Sequence, residues 1–356
     1  MPSSTSSSRP NAPDGPWGRT WTLALVSALA LMISYDLAWR SRGHRSWPGN
    51  DNDLWSLARS SIGPESVIVL GASRTLAGVD PAVLAERLGK PVAQLSINGA
   101  SPLPILEHLA ADESCQNTVI VGVAPGVVFD SARRSERSAR LQLDAYERFV
   151  SSPSAQSEAR LSSQLCRVTV TRSPRLSLLN VARCCLSGRS PRVTYGNRRA
   201  DRMMTLDFSR TDARKLEEEM LLRLTRREQK TRGSNISMIA ARLRPAVRRI
   251  VGRGGAVVFV RMPSAGRVRA AERHWYPRAG NWDMLAAEHP AGALHFEDYA
   301  DLSPFSPPDG SHLDQKDAAS FTVRLSRILR ELFLRHLEQT SKEHQKTAGP
   351  GPSTKR

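Results

Sequence analysis

A serine near the start of the folded part of the chain and an aspartate–histidine pair near its end could together perform nucleophilic chemistry. Val67-Ile-Val-Leu-Gly-Ala-Ser73 is an apolar run that stops at small residues and presents a hydroxyl. Asp309-Gly-Ser-His312 offers a carboxylate and an imidazole three residues apart. A serine becomes a useful nucleophile when a base takes its proton and a third group orients that base. The residue types therefore predict a triad of Ser73, His312 and Asp309.

The segments around these residues predict alternating strands and helices. Asp80-Pro81 and Ser101-Pro102 each place a capping residue before a proline, a pattern typical of helix starts. Strands separated by helices indicate βαβ units and a parallel sheet covered on both faces, so we predict an α/β fold. The predicted strands are Val67–Leu70, Val92–Ile97, Thr118–Val123, Ala256–Arg261 and a short edge strand near Ala293–Phe296.

The last predicted helix runs from Gln315 to about Glu338, directly after the aspartate–histidine pair. Its apolar residues recur at helical spacing, which is typical of a stripe that faces the core. Asp314 can cap this helix. It is also an alternative partner for His312, although its position suits the cap better.

Three loops should meet at the carboxyl ends of the strands, where doubly wound sheets bind ligands. Ser73 follows the first strand, Asn98-Gly99 follows the second, and Ala124-Pro-Gly126 follows the third. The Asn98 carboxamide, with backbone N–H groups near Ser73 and the close approach that Gly99 permits, could bind a developing oxyanion. Arg74 and Arg261 are candidate substrate contacts at the same edge, with structural ion pairing as the alternative for each.

The chain has 51 Lys and Arg residues against 34 Asp and Glu residues, a formal net charge of +17. Arginine runs concentrate between about residues 130 and 250, in a stretch that we predict to be a mostly helical insert. Such a surface favours nucleic acid, anionic lipid or acidic polysaccharide, or reflects solvated helix faces that use arginine. Because no aromatic residues interleave the runs as a stacking platform, nucleic acid is the weaker candidate. The four cysteines form no Cys-x-x-Cys pair, so we predict no metal site.

An apolar segment near the N-terminus predicts a membrane helix. Thr20–Tyr35 contains no charge, Asp36 interrupts the run, and Leu37–Trp39 extends it to Arg40. Aromatic residues near both ends suit the two membrane interfaces. A cleaved signal peptide is the competing interpretation, and a buried helix of a soluble domain is a third. No small-x-small cleavage site follows the segment, which favours an uncleaved anchor.

We therefore divide the chain into a disordered tail (1–19), an anchor (20–39), a linker (40–62), an α/β domain (63–340) with a basic helical insert at about 131–250, and a second disordered tail (341–356). We expect a single-pass protein of a bacterial-type inner membrane with its catalytic domain outside the cytoplasm. The positive-inside rule favours the opposite orientation, because more arginines follow the segment than precede it. A large C-terminal domain can translocate despite such charges, so the sequence leaves the orientation open.

At these positions the chain resembles the SGNH (GDSL-type) hydrolase superfamily, and above all its membrane-anchored branch associated with O-acetylation of exopolysaccharides and modification of cell-envelope polymers. The matching blocks are Gly71-Ala-Ser73-Arg-Thr75, Asn98-Gly99 and Asp309-Gly-Ser-His312. The resemblance covers roughly residues 63–340, with 131–250 largely outside it. One block departs from the pattern, because Val121-Gly-Val-Ala-Pro125 stands where a Gly-x-Asn-Asp block is expected.

The resemblance implies a flavodoxin-like three-layer fold and acyl-ester chemistry through a seryl intermediate, with no metal or organic cofactor. Ser73 would attack the acyl carbonyl, His312 would act as base and then acid, and Asp309 would orient His312. Asn98 with backbone amides would hold the oxyanion. The expected partner is a polysaccharide or cell-envelope polymer. For a transferase, a multi-spanning membrane protein that delivers the acyl group is expected as well.

Two alternatives belong to other functional classes. One is a catalytically silent SGNH-like subunit that binds polysaccharide or organises a biosynthetic complex; the missing Asn-Asp block favours it and the complete triad disfavours it. The other is a membrane-tethered binder of nucleic acid or anionic lipid that acts through the arginine-rich insert. Steep salt dependence of binding, unaffected by Ser73→Ala, would indicate that second alternative.

Overall fold

The computed structural model describes residues 17–46, 51–129, 134–191, 193–231, 236–289 and 292–347. The described residues form two compact units. The first unit holds the described residues before 47 together with residues 169–191, and the second holds the rest. That residues 169–191 belong with the N-terminal segment was not expected from the sequence, which assigned them to the basic insert.

Among the described residues of the first unit, the α-helices are α1 (Trp17–Ser41) and α9 (Leu178–Leu186). The helices of the second unit are α2 (Asp51–Ser60), α3 (Ser73–Gly78), α4 (Pro81–Leu88), α5 (Leu103–Ala111), α6 (Pro125–Val128), α7 (Arg134–Val150), α8 (Pro153–Val168), α10 (Ala213–Thr231), α11 (Ile236–Gly252), α12 (Gly266–Trp275), α13 (Trp282–Glu288) and α14 (Gln315–Thr347). Its strands are β1 (Val67–Leu70), β2 (Val92–Gln94), β3 (Thr118–Val123), β4 (Gly196–Arg198), β5 (Met204–Leu206), β6 (Ala256–Arg261) and β7 (Ala293–His295).

A five-stranded parallel sheet organises the second unit, in the order β2-β1-β3-β6-β7. Counted along the chain within this sheet, the order is 2-1-3-4-5, one of the two common orders of doubly wound sheets. β4 and β5 form a separate antiparallel hairpin. The prediction of an α/β fold with a parallel sheet is confirmed, and β1, β3 and β6 have the predicted bounds.

Helices cover both faces of the sheet because the central strands β1 and β3 are apolar on both sides. In β1, Ile68 and Leu70 pack into the core on the side of α5 and α11, whereas Val67 and Val69 pack into the core on the side of α4 and α14. The alternation follows from the two-residue period of a strand. Central strands buried on both faces explain the continuous apolar runs in the sequence.

The predicted helix starts differ in detail. Asp80 caps α4 as expected, since its Oδ1 accepts hydrogen bonds from the N–H groups of Ala82 and Val83. For α5 the capping residue is Pro102 rather than Ser101. The second strand ends at Gln94 and not at Ile97, although the Ile97 N–H still donates to Gly71 O.

The N-terminal helix α1 is 25 residues long and its side chains are almost all exposed. At 1.5 Å per residue it extends about 37 Å, more than the roughly 30 Å of a bilayer's hydrocarbon core. By length and composition it can cross a membrane. It begins at Trp17, so residues 17–19 are helical rather than part of the predicted disordered tail. Residues 1–16 lie outside the described part of the chain.

The predicted linker is wrong over Asp51–Ser60, which is the helix α2. Trp55 of this helix is fully buried against the core, and its indole N–H donates to Leu95 O at 2.8 Å. Leu54 and Trp55 are adjacent apolar residues within a polar stretch, and they do not produce a helical hydrophobic period clear enough to predict a helix. Burial of an aromatic ring stabilises it instead.

The predicted insert of 131–250 extends too far at its end. Ile239, Leu243 and Ile250 of α11 lie in the core against α5 and β6, so this helix is the crossover between β3 and β6. The described residues before it include helices, as expected, and also the β4–β5 hairpin, which the sequence did not predict.

At the C-terminus α14 continues to Thr347, beyond the predicted end at Glu338. Strong helix formers such as Glu, Lys and Gln favour that extension. Residues 348–356 of the predicted tail lie outside the described residues.

Candidate active site

Two glycines allow α3 to pack closely against the sheet and to begin at Ser73, with only two residues between it and the end of β1. The helix α3 begins at Ser73, and its third residue, Thr75, packs directly against the backbone of Gly71 and Gly122. A Cβ at Gly71 would lie 2.1 Å from Thr75 Oγ1, and a Cβ at Gly122 would lie 1.9 Å from the same atom. Only glycine therefore permits this close contact of helix and strands. The result is a partly exposed Ser73 hydroxyl at the carboxyl end of the central strands.

The turn that carries the histidine is folded around Asp309. Its Oδ1 accepts hydrogen bonds from the N–H groups of Ser311 at 2.9 Å and His312 at 2.7 Å. Gly310 has a φ of +73°, a conformation that favours glycine. A Cβ at this position would also lie 2.8 Å from Val268 Cγ2. The Asp-Gly-Ser-His sequence is therefore a local turn that fixes the imidazole relative to the carboxylate.

Ser73, His312 and Asp309 form a continuous hydrogen-bonded series, although the serine is more than two hundred residues from the other two. His312 Nδ1 lies 2.8 Å from Asp309 Oδ2, and His312 Nε2 lies 2.9 Å from Ser73 Oγ. An ionised carboxylate can only accept, so the Nδ1–H donates to Asp309 and Nε2 is free to accept the Ser73 hydroxyl proton. This is the arrangement that a serine nucleophile requires.

Asp309 remains ionised in this setting. Burial raises the pKa of its carboxyl group, but the hydrogen bond and charge of His312, with the two backbone N–H groups that it accepts, outweigh burial. The pKa of Asp309 therefore lies below its ordinary value. A carboxylate that stays charged at neutral pH can stabilise an imidazolium formed on His312.

A buried ion-pair network supports both halves of this series. Arg74 pairs with Glu272 at 2.6 Å, and Arg261 pairs with the other oxygen of Glu272 at 2.7 Å. Ser264 also donates to Glu272. Arg74 Nε in turn donates to Ser311 Oγ at 3.0 Å, so the residue after Ser73 is tied to the residue before His312.

The charges in this network keep each other ionised. Burial raises the pKa of Glu272, but the two guanidinium groups more than reverse this and lower it to about 2. Burial lowers the pKa of Arg261 to about 10, which still leaves it protonated at neutral pH. The buried carboxylate of Glu272 therefore joins Arg74, the residue after Ser73, to Arg261 at the end of β6.

A cavity of about 480 Å³ opens beside the triad. It lies at the carboxyl ends of β1, β2 and β3, which includes the position where the strand order reverses between β1 and β3. One wall is built by the β4–β5 hairpin and α10, and it is largely apolar with two charged side chains. The residues of this wall are Tyr195, Met204, Leu206, Leu216, Glu219, Met220, Arg223 and Leu224.

The structure places the sequence-predicted site residues in two groups. Asn98 and Gly99 line the cavity with Ser73, and both are exposed. Arg74 also lines it, although its guanidinium is largely engaged by Glu272 and Ser311. Arg261 is 1% exposed and does not line the cavity, because its guanidinium points to Glu272, Ser264 and its own strand end.

Sequence reasoning missed Glu272, Ser311, Tyr195 and the α10 wall. Ser311 lay within the Asp-Gly-Ser-His motif, where its side chain could have been considered. Burial raises the pKa of Tyr195, and the nearby charge of Asp309 adds to this, so its hydroxyl is a potential donor at the cavity. Glu272 has no local signal, since its partners lie far from it in sequence or across a strand–helix connection.

Comparison with known proteins gives no identification: no protein-family model matches the chain, and no curated sequence is significantly similar to it.

Proposed function

We propose that this protein is a serine-dependent acyltransferase or carboxylic-ester hydrolase of SGNH type. The observation that carries the proposal is the hydrogen-bonded series Ser73–His312–Asp309 at the mouth of a cavity on the carboxyl edge of a doubly wound sheet. A nucleophile, a base and an orienting carboxylate in this order match the geometry of acyl transfer.

The proposed reaction has two halves. Ser73 Oγ attacks the acyl carbonyl while His312 Nε2 takes the hydroxyl proton, and His312 then gives that proton to the departing alkoxide as the ester bond breaks. In the second half, water or a polymer hydroxyl attacks the seryl ester while His312 removes its proton. Ser73 regains the proton as the acyl group leaves. Each half forms one C–O bond and breaks another, and it passes one proton through His312 from the attacking hydroxyl to the departing oxygen.

The oxyanion that forms in both halves needs donors near Ser73. Asn98 and Gly99 lie at the same cavity edge. The N–H of Ser73 is in the first turn of α3, where N–H groups have no intrahelical acceptor. We propose that these groups hold the oxyanion, since fixed donors at that point stabilise the developing charge.

We further propose a polysaccharide or other cell-envelope polymer as the acceptor and α1 as a membrane anchor. The open cavity and the length and apolar composition of α1 support this assignment. For a transferase, a multi-spanning membrane partner would supply the acyl group. Transfer of acetyl groups is the simplest case.

The test uses the full-length protein in detergent. Hydrolysis of a chromogenic acetyl ester and covalent labelling by a fluorophosphonate are followed for wild type, Ser73→Ala and His312→Ala. We expect both variants to lose about two orders of magnitude or more in turnover, and the label to lie on Ser73. Ser320→Ala and His274→Ala, at exposed positions outside the cavity, are the matched controls. Wild-type rates in the triad variants, or a label on another residue, would contradict the proposal.

A non-catalytic polysaccharide-binding subunit is the second candidate. The observation that favours it is the loop after β3, which lines the cavity with Ala124, Gly126 and Val127 where the resemblance predicts an asparagine donor. Polysaccharide binding by the wild type without fluorophosphonate labelling of Ser73 would favour this candidate over the enzyme.

A further inference from the structure

The segment 169–191 is held against the end of α1 by specific contacts. Val170 N–H donates to Asp36 Oδ1 at 2.6 Å, and the Tyr35 hydroxyl donates to Leu176 O at 3.1 Å. Trp39 packs with Val170 and Leu176 in a small buried cluster. These contacts fix the start of α9 beside the last turns of α1.

This end of α1 is where a spanning helix would leave the hydrocarbon. The part from Trp17 to Tyr35 is about 28 Å long at 1.5 Å per residue, close to the thickness of the hydrocarbon core. Asp36 follows immediately and pairs with Arg40. A carboxylate is unfavourable inside the hydrocarbon, whereas tyrosine and tryptophan prefer the interface. α9 therefore begins at the depth of the lipid headgroups.

α9 presents an apolar face that no described residue of its unit covers. Leu178, Ala182 and Cys185 succeed one another at spacings of four and three residues, and Leu179 and Leu186 flank the same face. Leu178 is 76% exposed, Leu179 70% and Leu186 90%. Val181 lies at the edge of this face next to Cys185, about 100° around the helix from the centre of the face, and packs toward the buried cluster.

The charge of this segment suits an anionic surface. Residues 169–191 contain four arginines and no acidic residue. Arg172, Arg175, Arg183 and Arg189 all belong to the exposed surface of the first unit. Long basic side chains beside an apolar helix face are typical of helices that lie in the membrane interface.

We propose that α9 is an interfacial membrane helix, which lies in the bilayer surface beside α1 with Leu178, Leu179, Ala182, Cys185 and Leu186 inserted among the acyl chains and the arginines against anionic headgroups. This proposal rests on the membrane anchoring by α1 proposed above and is independent of the esterase chemistry. The unit then contacts the membrane through two elements, which restrains the orientation of the segment more than a single spanning helix does.

The test places a bimane label at single cysteines in the full-length chain. Cys184 and Cys185 are replaced by serine, while Cys115 and Cys166 are buried and stay unchanged. Labels are attached at Leu186→Cys on α9, at Leu29→Cys in α1, and at Ser320→Cys, an exposed position in the second unit. The protein is reconstituted into vesicles of phosphatidylcholine and phosphatidylglycerol. Quenching by lipids that carry a doxyl group high on the acyl chain is compared with quenching by aqueous iodide.

We expect the label at position 186 to lose most of its fluorescence to the doxyl lipid and little to iodide, since interfacial helices bury their apolar face about 5–10 Å deep. The label at 320 should show the reverse. Quenching at 29 but not at 186 would overturn the interfacial helix and leave the anchor in place. Quenching at 186 but not at 29 would support the interfacial helix and contradict the anchor. Iodide quenching at positions 29 and 186 would overturn the interfacial helix and the membrane anchor together. Quenchers in both leaflets make the outcome independent of vesicle orientation.

Discussion

Arg74 donates a hydrogen bond from Nε to Ser311 Oγ at a distance of 3.0 Å, which joins the residue after Ser73 to the residue before His312. The Gly-Ala-Ser and Asp-Gly-Ser-His motifs are more than two hundred residues apart in the sequence. This contact and the Ser73–His312 hydrogen bond hold them next to each other in the folded chain. Because Arg74 is itself held by Glu272, the position of the histidine turn depends on a buried ion pair.

Ser311→Ala should loosen this connection without removing a triad member. The loss of one hydrogen bond to a charged donor predicts a decrease of about 2 kcal/mol in the free energy of unfolding. Turnover of the acetyl ester should fall several-fold, because His312 is less well positioned. Urea denaturation and steady-state kinetics measure both effects. Ser320→Ala, at an exposed position, is the control; equal behaviour of the two variants would show that the contact has no positioning role.

Glu272→Gln should leave two buried guanidinium groups without a counter-charge. We expect the free energy of unfolding at neutral pH to fall by about 3–5 kcal/mol. Glu288→Gln removes a partner from the more exposed Arg244 and should cost about 1 kcal/mol or less. Denaturant unfolding of both variants gives the comparison, and similar losses for the two would contradict the buried network.

Glu272 also predicts how the free energy of unfolding depends on pH in acid. The pKa of Glu272 is about 2 in the folded chain, below that of an unfolded glutamate. Its contribution to stability is therefore complete above the unfolded pKa and is lost as the pH falls toward 2. Below about pH 4.5, the stability difference between wild type and Glu272→Gln should shrink.

Asp309→Asn should abolish most activity while the turn persists. The asparagine oxygen can still accept from the N–H groups of Ser311 and His312, but the amide would face Nδ1 and favour the wrong histidine tautomer. We expect a loss of about three to four orders of magnitude in turnover, as for the corresponding change in serine-protease triads. Asp314→Asn is the matched control, because Asp314 accepts from the N–H groups of Phe208 and Lys316 rather than from His312. A greater loss in Asp314→Asn would assign the orienting role to that residue instead.

His295 should make the protein less stable in mild acid. Burial lowers the pKa of this histidine to about 3, with Arg261, Arg278 and Arg269 adding to the effect against an opposing contribution from Glu297. The unfolded chain binds a proton at higher pH than the folded chain does, so stability is present above about pH 6.5 and declines as the pH falls toward 3. Between pH 7.5 and 5 the contribution of His295 should decrease by about 2 kcal/mol.

The variant His295→Asn tests this sign. Asparagine can still accept the hydrogen bond from the Glu297 N–H. The variant should be less stable at pH 7.5 because a buried ring is lost, yet its stability should change less between pH 7.5 and 5. Denaturant unfolding at the two pH values measures the slope, and an unchanged slope would refute the assignment to His295.

If the proposed acyl chemistry is correct, the apolar wall predicts which acyl chains fit the cavity. Met220 and Leu224 project from α10 to the cavity, where a hydrocarbon chain longer than acetyl could be buried. Met220→Trp should therefore reduce kcat/KM for a butyryl ester more than for an acetyl ester, by about fourfold for each methylene that no longer fits. Met284→Trp, at an exposed position on α13, is the control. An equal reduction for both esters would show that the wall does not contact the acyl chain.

The sequence determined the central strands and their ends. The three central strands are short apolar runs bounded by small or polar residues: Val67–Leu70, Thr118–Val123 and Ala256–Arg261. A short run of this kind is typical of a strand that is buried on both faces of a parallel sheet. The turn at Asp309–His312 is local too, since the carboxylate accepts the N–H groups two and three residues later. Carboxyl ends of parallel strands meet at one edge, so the expectation that Ser73 and Asn98 share a site followed from strand order alone.

The tertiary structure alone decided the rest. Glu272 became the support of the site because burial makes its pairing with Arg74 and Arg261 strong, and no spacing in the sequence encodes a contact across 198 residues. Likewise, α10 lacks an apolar period clear enough to show that it closes a cavity. The joining of residues 169–191 to α1 depends on Asp36 and Trp39 finding partners far along the chain. Local patterns fix backbone conformation through short-range sterics and periodic burial, whereas these long-range contacts form only when the folded chain excludes water from particular polar groups.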